Sequence, residues 1–409
     1  MAEKSAQEKS ALGGIRVLDA ATFIAGPYAG SILGEFGAEV IKIEQPGKGD
    51  QVGGDPWRRY GTPTGRDNAT LAWLTEARNK KSITLNLREK RGGDLLKRMV
   101  EQSDVLIENF RPGTMERWGL GWADLSAINP KLVMLRVTGY GQTGPYKDRP
   151  GFARIGHAVG GLTYLAGRPG EIPVTPGSTS LGDYMTGMYG VIGVLTALRH
   201  RDNTGEGQYI DAALCESVFR VLDELAPAFA ARGTVREPEG IGTLNAVPHG
   251  HFPCGDGKYL SIACTTSKMF ERLCDAMERP DMKEAYGDQA VRLKNRDRVI
   301  EEVTNWCMSM TRTEVIEKCV AAEVPAGPIN SIADIFEDPQ FAARDMLLKL
   351  TEPDTGEVVI PGVVPKLSAT PGRVKTLGAA LGSSNAEIYG GLLGLSGDEI
   401  AALKADGII

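Results

Sequence analysis

From Gly14 to Val137 apolar residues fall in short continuous runs, separated by glycine turns and amphipathic stretches. Ile15–Leu18 is one such run and predicts a short buried strand. Ala25-Gly26-Pro27-Tyr28-Ala29-Gly30 reads as a turn into a helix, with Pro27 suited to a first helical turn. Ser31–Phe36 continues that helix, Gly37 is its expected C-cap, and Glu39–Glu44 is a second strand. Strand, glycine turn, helix and strand make a βαβ unit, which implies parallel pairing. The pattern repeats: Ser82–Asn86 as strand, Gly92–Gln102 as helix and Val105–Asn109 as strand, then Leu125–Asn129 as a short helix and Leu132–Val137 as strand. This alternation predicts an α/β fold with an open, Rossmann-like doubly wound sheet.

Proline- and glycine-rich loops follow, through Pro150 and Pro169–Gly177. Leu181–Arg199 is a long apolar helix with small residues, and Gly207–Cys215 alternates like a strand before another helix. Arg232–Ile241 turns polar and glycine-rich, a domain boundary. His251–Ala263 predicts a hairpin around Cys254-Gly255-Asp256-Gly257. Helices dominate Ser267–Ala321, Val324–Asn330 is a strand-like return, and Ile332–Asp338 is a short helix ending at Pro339. The last helix, near Ser396–Lys404, opens with Ser396 and Glu399 spaced as a capping box.

The 409 residues correspond to two or three domains at about 150 residues each. Lys and Arg number 46 against 52 Asp and Glu, a net charge of −6, which argues against a nucleic-acid binder. Six cysteines, Cys215, Cys254, Cys264, Cys274, Cys307 and Cys319, form no CxxC pair and read as reduced thiols of a cytoplasmic protein. The first residues, MAEKSAQEKSALGG, lack the apolar core of a signal peptide, and no run reaches the roughly 18 apolar residues of a membrane span.

No GxGxxG follows the first strand, where the loop is Thr22-Phe23-Ile24-Ala25-Gly26-Pro27, and no P-loop or GxSxG elbow occurs. The histidines, His157, His200, His249 and His251, have no HExxH spacing, and no metal site is expected. One acid stands out. Asp183 lies in a glycine-rich segment at the start of the apolar helix, where the helix dipole favours a carboxylate. It reads either as a first-turn acid or as a nucleophile that a ligand can approach closely.

Taken together, these segments resemble the class III coenzyme A transferases. The matching residues are Gly14–Asp19, Ala25–Ala29, Gly37–Glu44, Asn79–Ser82, Glu108–Gly113, Thr138–Pro145, Gly182-Asp183 with Thr186-Gly187, Thr204–Gln208 and Val324–Pro328. Each is weak alone; their shared order over nearly the whole chain is specific. The resemblance implies a large Rossmann-like domain, a smaller α+β domain and an interlocked dimer. Residues 1–225 would be the coenzyme A-binding domain carrying the nucleophile, 226–330 the small domain, and 331–409 a segment returning to the large one. Asp183 would attack an acyl-CoA thioester, giving an aspartyl anhydride and then an aspartyl-CoA thioester that a second carboxylate displaces.

By the same resemblance, Phe23, Ile24, Ala25, Arg78, Asn79, Lys80, Lys81, Asn109, Phe110, Arg117, Thr138 and Tyr140 are expected to contact coenzyme A. Two departures matter. Gln45 stands where the family often has an Arg, leaving Lys48, Arg58 or Arg59 as substitutes, and Ala379–Ser383 follows Leu377-Gly378 where many members continue Glu-His-Thr. The family's racemases pair the Asp with a His at the position of Phe152, and His157 lies elsewhere. Its formyl-CoA enzymes carry a Gln where this chain has Ile24, which suggests a roomier, greasier pocket. The expected reaction is transfer of coenzyme A from succinyl-CoA to a small carboxylic acid, with benzylsuccinate the leading acceptor and malate, citramalate, glutarate and carnitine-type acids open. Arg154, His157, Tyr140, Tyr184 and Ile24 are the substrate-side candidates. A racemase-like isomerase and a silent subunit of a heteromeric transferase are the alternatives; the expected partner chain is a second copy or a related subunit.

Overall fold

The computed structural model describes residues 10–48 and 51–409, so the expectation for the first nine residues lies outside the described ones. The chain divides into two compact units. One holds the residues up to Thr163 together with Thr175–Gly233 and Ala343–Ile409, and the other holds Tyr164–Val174 and Thr234–Ala342.

The first unit is built on a six-stranded parallel sheet. Its strands are β1 (Arg16–Asp19), β2 (Glu39–Glu44), β3 (Lys80–Thr84), β4 (Val105–Glu108), β5 (Val133–Thr138) and β6 (Gln208–Ala213), in the order β3-β2-β1-β4-β5-β6. Leu18 pairs with Ile41 on one side and Leu106 on the other. Successive residues of a strand point to opposite faces, so a sheet covered on both sides needs apolar residues at every position. Val17, Val40, Val105 and Val133 point to one face and pack with helices α1 (Ala25–Glu35) and α4 (Leu181–Thr204), which are separated in the sequence by α2 (Lys90–Val100) and α3 (Ala153–Val159). Their neighbours Leu18, Ile41, Leu106 and Met134 point to the other face, against α2 and the C-terminal Tyr389, Leu403 and Ile408. This double coverage is why the strands read as continuous apolar runs.

Small residues bring α4 in close. A Cβ on Gly187 would stand 2.8 Å from the carbonyl oxygen of Ala25, and one on Gly190 would stand 2.8 Å from Leu135. The N-terminus of α4 is thereby set beside that of α1. Elements missed by sequence reasoning include α3 and the antiparallel hairpin Leu347–Glu352 with Gly356–Pro361. The expected capping box is present: Glu399 N–H donates to Ser396 Oγ (3.3 Å), and Ser396 N–H donates to Glu399 (2.7 Å).

In the second unit His249–Pro253 and Tyr259–Ala263 form the expected hairpin around the Asp-Gly turn, and Ala326–Pro328 adds a third antiparallel strand. Phe252, Leu260, Phe270, Val299 and Val315 make its core, in which Cys254, Cys264, Cys274, Cys307 and Cys319 are buried as free thiols. Among the described residues no helix is long and apolar enough to cross a membrane.

Candidate active site

Strand order reverses at β1. The chain passes from β1 through α1 to β2 on one side, while β4 and β5 lie on the other. Connections that leave neighbouring carboxyl ends in opposite directions open a crevice there, where open parallel sheets bind ligands. Thr22–Ala25 follow β1, Asn109–Pro112 follow β4 and Gly139 follows β5; with Pro150–Phe152 and Asp183 they enclose a cleft of about 210 Å³. A second hollow of about 400 Å³ shares Thr22, Phe110 and Arg111 with it and runs past β2 and β3 to Gln45, Leu87 and Arg88.

The loop after β1 is held from both sides. Asn109 accepts the N–H of Thr22 at 2.8 Å and donates to its carbonyl at 2.8 Å, so its amide is engaged in shaping the loop. Phe23 has φ 62°, in the left-handed region, and its N–H donates to Asp55 Oδ1 at 3.1 Å. Asp55 is itself paired with Lys42 (3.0 Å), and Lys42 donates to the carbonyl of Ala21. Asp19 and Lys80 (2.8 Å) complete a buried cluster of two acids and two bases beneath the loop. Pairing makes such burial tolerable, and the bonds to Ala21 and Phe23 tie it to the loop's path.

Asp183 sits in the first turn of α4 and lines the cleft. Its carboxylate accepts no hydrogen bond and enters no ion pair among the described residues. Burial pushes its pKa from 3.8 up to about 7. Phe23 and Phe152 meet edge to face at 5.9 Å in the same lining, beside Ile24. A desolvated, unpaired carboxylate is the more nucleophilic for lacking donors, and at neutral pH a large fraction of it is ionised. The surrounding cations are Arg111, Lys147 and Arg149, the last stacked 3.6 Å over the Tyr146 ring.

The structure brings Phe23, Ile24, Ala25, Asn109, Phe110, Thr138 and Asp183 together at this cleft. It does not bring Arg78–Lys81 there. Those residues open β3 at its amino end, opposite the crevice. Arg78 is buried against Glu35 at 2.5 Å, Lys80 against Asp19, and Lys81 holds Glu39 and Glu387 at 2.6 Å each. Asn79 accepts the N–H of Lys375 at 2.7 Å. Arg58 is likewise no substitute at Gln45, since Glu44 grips it at 2.6 and 2.7 Å and Trp73 covers it. Arg59 donates to Gly53 and Asn68, and Lys48 forms a backbone bridge with Gln51. The cations lining the two hollows were missed: Arg88 and Arg111 come just after strands, where the crevice rule would have found them.

Arg117 donates to Thr114 (2.9 Å), which lines the second hollow. Tyr140 lies edge-on to Tyr146 at 5.9 Å and Arg154 is exposed; neither lines the cleft. Tyr184 turns away, packing edge-on to Tyr28 and donating to Glu76 at 3.1 Å. Burial, with Glu76 nearby, pushes its phenol well above the usual range. His157 is buried behind α4 and accepts the N–H of Gly182 at 2.7 Å; burial first, and then Arg154, hold its pKa below the usual value. A racemase needs an acid and a base on opposite faces of the reacting carbon. Among the described residues, Phe152 occupies the cleft wall and no histidine lines it.

Comparison with known proteins places the chain in a family. The model of CoA-transferase family III matches residues 12–385. A "Succinyl-CoA--L-malate CoA-transferase alpha subunit" of Chloroflexus aurantiacus is 56% identical over 405 residues, covering 98% of this chain and 94% of that protein. The corresponding "beta subunit" is also 56% identical, over 402 residues, covering 97% and 98%. A "Succinyl-CoA--D-citramalate CoA-transferase" of the same organism is 40% identical over 400 residues, covering 97% and 98%. The crystal structure of "a CAIB/BAIF family protein from Brucella suis" superposes with a TM-score of 0.82 at 32% identity, covering 94% of this chain and 100% of that one. The chain belongs to CoA-transferase family III and is a class III CoA-transferase.

Proposed function

We propose that this chain transfers coenzyme A from succinyl-CoA to a hydroxy-dicarboxylic acid of the malate type, with Asp183 as nucleophile. The observation that carries the reading is the unpaired, desolvated carboxylate of Asp183 at the switch-point cleft. The choice of acceptor is supported by the two relatives at 56% identity, both named for L-malate, and by the D-citramalate relative. They favour a malate-type acid over the benzylsuccinate expected from the sequence.

The reaction runs through four displacements. The Asp183 carboxylate attacks the succinyl carbonyl carbon, the C–S bond breaks, and an anhydride and a thiolate form. The thiolate attacks the aspartyl carbonyl, and succinate leaves with the bridging oxygen. The acceptor carboxylate attacks the aspartyl thioester and expels the thiolate, which then attacks the acceptor's acyl carbon and frees Asp183. Both attacking groups are anions, so the scheme needs no base. Phe23, Ile24 and Phe152 keep water from the anhydride. Arg88 and Arg111 serve the coenzyme A phosphates, and Lys147 and Arg149 the free carboxylate of the diacid.

A second chain fits the exposed face of α4. Val191, Val194 and Leu198 are buried, while Met188, Ile192 and Leu195 form an exposed apolar stripe at helical spacing. Equal identity to an alpha and a beta subunit makes a family III partner, the same chain or a related one, its expected cover.

The test is trapping. Incubation with succinyl-CoA and then hydroxylamine should leave a hydroxamate on Asp183, located by mass spectrometry, and a screen of diacids should favour malate. Modification at another residue, or none with coenzyme A binding intact, overturns the assignment and favours the silent-subunit reading.

A further inference from the structure

The helix that carries Asp183 lacks an ordinary side-chain cap. Ser180 occupies the N-cap, yet its hydroxyl accepts nothing from the first turn. Its carbonyl accepts the N–H of Asp183 (2.9 Å) and of Tyr184 (3.2 Å). The N–H of Gly182 instead reaches the ring of His157 on α3, 2.7 Å from Nε2. The amides at the very start of a helix, such as that of Gly182, lack the usual carbonyl partner four residues back, and a side-chain acceptor there stiffens the turn.

Three details separate this contact from simple packing. A bare Nε2 places the ring proton on Nδ1, and Nδ1 is buried without a partner among the described residues. Leaving a buried N–H unpaired is unfavourable, and a leucine or phenylalanine would fill the space without that cost. The ring is 1% exposed, so water does not make up the loss. Gly182 also lets the ring come close: a Cβ there would stand 3.1 Å from Cδ2 and 3.2 Å from Nε2, so the ring would have to shift. The peptide so held joins Leu181 to Gly182, immediately before the one that leads into Asp183.

We propose that His157 is a positioning residue: as an Nδ1–H tautomer it caps α4 through Gly182 and fixes the carboxylate of Asp183 at the cleft. The proposal rests on Asp183 being the nucleophile. Small misplacement of a reacting group costs up to about 100-fold in rate, so His157→Leu should lower kcat by about 10- to 100-fold while KM for acyl-CoA changes less than about threefold. His157→Gln, whose Oε1 can accept the same N–H, should keep kcat within about threefold of the unsubstituted enzyme. Full kcat in the Leu variant, or equal losses in the folded Leu and Gln variants, overturns the proposal. Should His157→Leu fail to fold, the imidazole ¹⁵N spectrum of the unsubstituted protein decides. His157 is expected in the Nδ1–H form between about pH 6 and 8, and a protonated Nε2 overturns the assignment. Asp183→Ala, assayed alongside, separates the two ideas. Transfer retained there sinks the nucleophile reading, whereas an inactive Asp183→Ala beside a fully active His157→Leu sinks only the positioning role.

Discussion

Asp55 holds Phe23 in the left-handed backbone region, its carboxylate accepting the Phe23 N–H at 3.1 Å while Lys42 stands 3.0 Å away on its other oxygen. The loop that walls the cleft is thus fixed by a buried ion pair rather than by glycine. Asp55→Ala removes the acceptor and leaves Lys42 with a weaker counter-charge in a dry site. It should destabilise the protein by about 3–5 kcal/mol in urea unfolding and lower kcat/KM for acyl-CoA in the folded fraction. An unchanged midpoint would show that the cluster bears little on either.

With Asp183 as the proposed nucleophile, its pKa, pushed up to about 7 by burial, should set the acid limb of the reaction. Only the ionised carboxylate attacks, so kcat/KM for succinyl-CoA should fall as pH drops through about 7. A plateau extending down to pH 5 would contradict the environment described for this group.

The same burial links activity to stability. Between about pH 4 and 7 the native carboxyl keeps a proton that the unfolded chain has lost. The native state binds more protons there, so stability falls as pH rises through that window and is lowest above it. Asp183→Asn removes this penalty. It should be more stable than the unsubstituted protein by about 2–4 kcal/mol above pH 8, with the gap closing near pH 4. Thermal or denaturant melts at the two pH values measure the difference.

Arg78 and Arg111 should respond differently to the same substitution. Arg111 lines both hollows, and Arg111→Ala should raise KM for acyl-CoA by about tenfold or more with little change in the melting midpoint, as for loss of a charge-assisted bond. Arg78 is closed against Glu35, whose pKa burial raises even with that partner present. Arg78→Ala should cost about 2–3 kcal/mol of stability, because Glu35 can take up a proton, and leave KM near its original value. The reverse pattern would place coenzyme A at the amino end of β3.

Arg149, stacked on Tyr146 at the cleft, is the residue proposed to meet the free carboxylate of a diacid. Arg149→Met should raise KM for malate and for succinyl-CoA by about tenfold while affecting a monocarboxylic acceptor little, read from the ratio of kcat/KM values. Equal losses for both acceptor classes would remove it from substrate recognition.

Local pattern alone carried much of this molecule. Continuous apolar runs at Val17-Leu18, Val40-Ile41 and Val105-Leu106 specify parallel strands because both faces of each must be covered. The Ser396–Glu399 capping box and the Asp-Gly hairpin were legible because their bonds close within a few residues. Asp183, which the structure places in the lining of the cleft, stood out in the sequence by its glycine-rich setting and its place in a family motif order. Tertiary structure decided what the charges do. Lys80 meets Asp19, Arg66 meets Glu352 and Asn79 meets Lys375 across gaps of 61, 286 and 296 residues, distances at which no periodicity operates. It also decided which strand ends open onto the cleft, closing Arg78, Lys80 and Lys81 against Glu35, Asp19, Glu39 and Glu387 while Arg88 and Arg111 line the hollows, and it made His157 a buried acceptor for Gly182. A side chain's partner depends on which surfaces the sheet and helices bring together, and that is a property of the packed chain rather than of any short stretch of it.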